Sequence, residues 1–218
     1  MTLPVSSLLK RFGPQGWWPR LIRRGSTIVV RHHPEGQPGW VSRSADERAF
    51  EVALGAILTQ NTAWRNVEQT LVCLAEHDLV TSEKLATART DLLERCVYSS
   101  GYFRHKAKRL KRFARFVERS LDGHLGRILK DSDPRRLLLA QLGIGPETAD
   151  TILLYGLDQP CFVVDTYTRR LLVETTKDQR WLTQSYAEVQ GWCEQALPKD
   201  VKQWQEAHAL IVRWGKKG

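Results

Sequence analysis

Ten stretches of this sequence repeat their apolar residues at helical spacing, and none sustains the period-two alternation of a strand. They run at Ser44–Leu58, Trp64–His77, Ser82–Ala88, Thr90–Cys96, Arg104–Leu121, Asp133–Leu142, Pro146–Tyr155, Thr166–Thr175, Tyr186–Leu197 and Lys202–Trp214. In the first, Ser44 followed three residues later by Glu47 marks a capping box, and Phe50, Ala53, Leu54, Ile57 and Leu58 share one face. Short connections between so many helices predict a compact all-α fold. Residues 1–43 read differently. Gly13-Pro14, Gly16, Trp17-Trp18-Pro19, Pro34, Gly36, Pro38 and Gly39 punctuate them, so an irregular segment is expected, with Thr27–Val30 as extended chain lacking a partner.

Several classes are excluded early. The longest apolar run, Val52–Leu58, has seven residues, far below the roughly 20 that span a bilayer, and the first ten residues lack the pattern of an export signal. The four cysteines, Cys73, Cys96, Cys161 and Cys193, are separated by 23, 65 and 32 positions. That spacing suits free, mostly buried thiols in a reducing compartment and neither a zinc site nor an iron–sulfur loop. A cytoplasmic location is therefore expected, and a monomer. The formal charge of +9 suits a polyanionic partner, and eight tryptophans exceed what a core of this size needs.

Arg104–Val117 carries seven Lys and Arg residues around an apolar stripe of Ala107, Leu110, Phe113, Ala114 and Val117. A solvated face and a face meeting phosphates fit these residues equally well.

Asp131–Arg170 holds more chemistry. Asp133-Pro134 opens one short helix, Gly143-Ile144-Gly145 turns sharply, and Pro146 opens a second that ends at Gly156. Glycines at both ends of the turn let backbone approach a ligand, with amides facing outward at a helix start, an arrangement suited to phosphate. Ile144 is placed to plug the turn into the core. Beyond it, the apolar Cys161-Phe162-Val163-Val164 delivers Asp165, with Thr166 the expected cap of the next helix. Asp165 as a plain helix cap and Asp165 as a cleft carboxylate both fit, and the 20 residues between Gly145 and Asp165 can bring them to one cleft.

The run Leu142-Gly143-Ile144-Gly145-Pro146-Glu147-Thr148-Ala149-Asp150, followed by Val163-Val164-Asp165-Thr166, resembles the helix-hairpin-helix/Gly-Pro-Asp motif of the endonuclease III superfamily of DNA glycosylases. The resemblance extends from about Phe50 to Gly215 and takes in Ala56–Thr62, Gly101-Tyr102-Phe103, Lys106-Ala107-Lys108 and His208–Val212. It implies two helical lobes with the active-site cleft between them. Residues 44–156 would form one lobe ending in the hairpin; residues 1–43 and 157–218 would form the other.

By the same resemblance Asp165 is the catalytic aspartate, stabilising the oxocarbenium character of the sugar or activating water. Gly143, Gly145, Thr148, Lys106, Lys108 and Arg109 would hold DNA phosphates, with Arg213, Lys216 and Lys217 supplementing them. Bifunctional members carry a lysine where this chain has Glu147, and a carboxylate cannot form the imine, so a monofunctional enzyme is expected. The iron–sulfur cluster of many members is not expected, because no cysteine follows Cys193 before the chain stops at Gly218. Related hairpins bind a monovalent cation through their carbonyls, which leaves that as the one cofactor question. Trp17-Trp18-Pro19 and Leu58–Trp64 resemble the 3-methyladenine DNA glycosylase III branch. Trp17, Trp18 and Trp64 would then line the pocket for a flipped base, and Gln60 would fill the gap left in double-stranded DNA. An alkylated purine, cationic and already a good leaving group, suits an aromatic pocket. An oxidised or deaminated base, and a hairpin module that only binds DNA, are the alternatives.

Overall fold

The computed structural model describes residues 3–32, 39–42 and 44–216. The turn residues Pro34, Gly36 and Pro38, and the tail residue Lys217, lie outside them. The architecture is mostly helical, in the order α1 (Val5–Phe12), β1 (Arg20–Arg24), β2 (Thr27–Arg31), α2 (Ala45–Leu58), α3 (Trp64–Glu76), α4 (Ser82–Thr87) and α5 (Thr90–Val97). Then follow α6 (Phe103–Leu121), α7 (Pro134–Leu139), α8 (Pro146–Thr151), α9 (Thr166–Thr176), α10 (Tyr186–Ala196) and α11 (Val201–Gly215). The helix α8 continues into a wider π turn over Ile152–Gly156.

The amino-terminal segment corrects the expectation of irregular chain. It holds α1 and an antiparallel hairpin in which Leu21 faces Val30 and Ile22 faces Val29, turning at Gly25 with φ of 59°. Period-two alternation fails to reveal it because β1 buries two neighbours, Leu21 and Ile22, completely. Its anchor is a buried carboxylate: Glu51 of α2 accepts the Leu21 amide at 2.8 Å through Oε1 and the Ser42 hydroxyl through Oε2. Burial raises the Glu51 carboxyl above its ordinary range.

Two apolar cores result. The larger gathers α2 to α8 with Leu21 and Ile28, so the hairpin packs into the first core and not with the carboxy-terminal helices. The smaller joins Leu3, Leu8 and Trp18 to the π turn, α9, α10 and α11. A buried polar node ties the two together. Asp150 of α8 receives Arg135 at 2.7 and 3.0 Å and Gln190 of α10 at 2.8 Å, while Gln190 also donates to the Phe162 carbonyl at 2.7 Å.

Candidate active site

Asp165 is the true N-cap of α9, and Thr166, expected as the cap, is its first helical residue. Oδ1 does the capping, accepting the Thr168 amide at 2.7 Å and its hydroxyl at 2.9 Å. Oδ2 points elsewhere, to Nε2 of His208 on α11 at 3.7 Å. The carboxylate is thus held by one oxygen and presents the other to His208, so the helix-cap reading describes a real contact. His208 is buried, and its Nδ1 lies 2.8 Å from the Tyr155 hydroxyl, which donates to the Gln205 carbonyl at 2.9 Å. Burial lowers the His208 imidazole below its ordinary value, although Asp165 opposes the shift. The sequence reading missed His208 and Tyr155 as site residues. The available signal was a histidine on an otherwise apolar face, among Ala207, Ala209 and Leu210.

Glu147 stands in the first turn of α8. Its surroundings, and then the like charge of Asp165, push its carboxyl up to about 7.

A cavity of about 340 Å³ is lined by Trp17, Trp64, Phe12, His32, Arg213 and Lys216, among others; Asp165 and His208 do not line it, and Trp17 connects it to the His208 ring at 6.3 Å. The indoles of Trp17 and Trp64 stack with centroids 6.1 Å apart and planes 29° apart. Trp18 stands behind this wall, edge-on to Trp64 at 5.2 Å and nearly buried, and it does not line the cavity itself. A Cβ on Gly55 of α2 would come within 2.9 Å of the Trp18 ring, so glycine there makes room for the indole. Lys216, at the rim, lies 5.7 Å over the Trp17 ring. Loss of solvent lowers its ammonium pKa despite Glu68 and Asp165 nearby.

The hairpin turn places Gly143 at φ of 81° and seats Ile144 in the core. Gln60 reaches across to it. Its Nε2 donates to the Gly143 carbonyl at 2.8 Å and the Thr148 hydroxyl at 3.0 Å, and its Oε1 accepts from Arg109 at 2.5 Å. Gln60 is thus fastened to the hairpin instead of standing free as a wedge, and it occupies one of the turn's carbonyls. The neighbouring Asn61, exposed and left-handed at φ of 55°, holds the outer position of the α2–α3 turn. Arg109 lies against Gly143, whereas Thr148 is buried and Gly145 exposed.

Lys106 departs most from its expected place. It is 2 % exposed and donates to the carbonyls of Leu58 at 2.8 Å and Ser100 at 2.6 Å. The first is an orphan carbonyl at the end of α2, so the amine caps a helix and does not reach DNA. Desolvation and Arg109 lower it to about 8. The outward cations of α6 are Arg104, Lys108, Arg112, Arg115 and Arg119, which line a groove toward α5.

Residues 54–198 match the model of HhH-GPD superfamily base excision DNA repair proteins. A candidate DNA repair glycosylase of Methanocaldococcus jannaschii is 35% identical over 214 residues, covering 96% of this chain and 84% of that one. The chain is a DNA glycosylase of the HhH-GPD superfamily. Its fold is similar to that of the 3-methyladenine DNA glycosylase of H. pylori bound to 1,N6-ethenoadenine, with a TM-score of 0.72, 25% identity and coverage of 99% and 94%. It is also similar to endonuclease III trapped covalently on DNA, with a TM-score of 0.71 and 17% identity over 98% of this chain and 83% of the other, a likeness of fold. DNA is accordingly the glycosylase's partner. Its four cysteines do not gather as an iron–sulfur cage would require: Cys161 pairs with Asp150 at 3.0 Å and Cys193 is buried in the smaller core. Among the described residues no helix is long and apolar enough to cross a membrane.

Proposed function

We propose that this glycosylase is monofunctional and releases an alkylated, 3-methyladenine-like purine flipped out of duplex DNA. The observation that carries this reading is the indole-walled cavity of about 340 Å³, whose wall residue Trp17 stands edge-on to His208, the partner of Asp165, with ring centroids 6.3 Å apart. A flipped base entering it meets an electron-rich ring face, which favours a cationic purine. Positive charge on the methylated base weakens its bond to the sugar before the protein acts. Asp165 then stabilises the oxocarbenium-like sugar through its free oxygen, and water completes the hydrolysis. Arg109, Lys108, Gly143 and Gly145 hold the phosphates near the hairpin, with the exposed cations of α6 extending the track. Glu147 at the hairpin helix offers no amine for an imine, which supports hydrolysis without strand cleavage.

The deciding experiment releases bases from duplexes carrying methylated, deaminated and oxidised lesions, by wild type and by Asp165→Asn. Methylated purines are expected to leave fastest, and Asp165→Asn is expected to slow release by roughly 100- to 1,000-fold. Equal rates in the two proteins remove Asp165 from the mechanism. Lys216 favours a second reading: it is an amine of lowered basicity at the cavity rim. Borohydride trapping of wild type that vanishes in Lys216→Met would establish a lyase and overturn the monofunctional proposal.

A further inference from the structure

Along α3, nine residues beyond Trp64, the chain brings together three ligand-type side chains with no part in the cleft. Cys73 and His77 are four residues apart, one turn along α3 and its C-cap, and Cys96 comes from α5. His77 Nδ1 lies 3.8 Å from the Cys73 sulfur and 3.7 Å from the Cys96 sulfur, and all three ligand atoms fall within 4.8 Å of one another. A tetrahedral ion with metal–sulfur bonds of about 2.3 Å and metal–nitrogen bonds of about 2.05 Å holds such atoms roughly 3.5 to 3.8 Å apart. Both sulfur–nitrogen distances already match that spacing to within a few tenths of an ångström, and the two sulfurs lie no more than 4.8 Å apart. We propose that Cys73, His77 and Cys96 bind one zinc-class divalent cation, which pins the end of α3 to α5.

The donor set favours that class. Two thiolates and an imidazole suit zinc and select against magnesium and calcium, which take oxygen ligands. Cys96 is buried, Cys73 half-buried and His77 exposed, so the ion would enter from the solvent side and keep one position open there. Glu76, whose charge reaches Cys96, or a water would fill it. His77 Nδ1 also lies 2.9 Å from the Cys73 carbonyl, so metal ligation exchanges that hydrogen bond for a coordinate bond and leaves the imidazole proton on Nε2. The sequence spacing conceals the site, because Cys73 and Cys96 are 23 residues apart and meet only when α3 packs on α5.

The test titrates cobalt(II) into the full, untagged chain kept reduced by a phosphine. One equivalent should bind with the visible bands of a tetrahedral complex and a thiolate-to-cobalt charge-transfer band, and zinc should bleach both. Cys73→Ser, which leaves one of the two thiolates, should cut the charge-transfer intensity per bound cobalt to about half. His77→Gln alters an exposed side chain, so it should keep the fold while weakening cobalt binding by at least the roughly tenfold that loss of an outer-sphere partner already brings. No visible spectrum in excess cobalt overturns the proposal, as does a spectrum unchanged in both variants. A Cys73–Cys96 disulfide that, once reduced, leaves the protein unable to take up cobalt also overturns it.

Discussion

Nε2 of His208 and Oδ2 of Asp165 face each other at 3.7 Å, with only 7% and 13% of their side chains open to solvent. The Tyr155 hydroxyl gives its proton to the Gln205 carbonyl, so the network assigns the His208 Nδ1 proton to Tyr155 oxygen. A neutral imidazole then presents a bare Nε2 to Asp165 and leaves its negative charge available to the sugar. An imidazolium would instead place its positive charge beside that oxygen and offset the carboxylate's charge. Base release is therefore expected to fall as pH drops below the ordinary histidine range, through the lowered titration of His208. In His208→Gln the acid limb should move to lower pH, which a pH–rate profile under single turnover reads directly. The stability sign agrees: the unfolded chain takes the proton first, so wild type loses stability on the acid side and the variant loses less.

Glu147 gives a prediction of opposite slope. Its folded carboxyl titrates at about 7 against an ordinary 4.5, so the folded state binds the extra proton between those values. Stability should decline as pH rises through that window and stay lower above it. Glu147→Gln should melt higher than wild type at pH 8 and show no gain at pH 4, by thermal unfolding. Glu147→Lys places an amine opposite Asp165, and borohydride trapping should appear in that variant.

Gly143 combines φ of 81° with contact from the Arg109 side chain. Gly143→Ala should cost about 1 to 3 kcal/mol from the backbone alone. Because Arg109 must move, the variant should also lose DNA affinity equally for damaged and undamaged duplexes. Denaturant midpoints at constant slope and filter binding check the two parts.

Lys106 and Lys108 should behave oppositely although both belong to α6. Lys106→Met leaves the carbonyls of Leu58 and Ser100 unpaired, at about 1 to 3 kcal/mol for such a buried group, and should leave the salt dependence of DNA binding unchanged. Lys108→Met should leave the melting temperature unchanged and reduce the slope of log affinity against log salt by about 0.9.

The helices were legible because their apolar spacing is periodic and their caps are local. Ser44, Asp133 and Asp165 each accept an amide three residues on, a contact that chain proximity alone supplies. The β-hairpin was not, since its anchor is Glu51 on a later helix. The same holds for Lys106: a helical wheel places it near the apolar stripe, but only the packed end of α2 provides the carbonyl that draws its amine inward. At the site, the hairpin turn and the Asp165 helix cap are each local, and each could be read from its own few residues. His208 and Tyr155 could not, because their partnership spans 53 residues and depends on the meeting of α11 with the π turn.

The layout of the cores also bears on the order in which the glycosylase matures at the ribosome. Leu21 through Leu153 supply the whole of the larger core, including the hairpin seat of Ile144. Asp165, by contrast, lacks its histidine until residue 208 has been translated, and Arg213 and Lys216 complete the cavity later still. Under the function proposed above, a growing chain that folds vectorially would gain its phosphate contacts before it gains a chamber for a base. Nascent molecules would hold nucleic acid without excising from it.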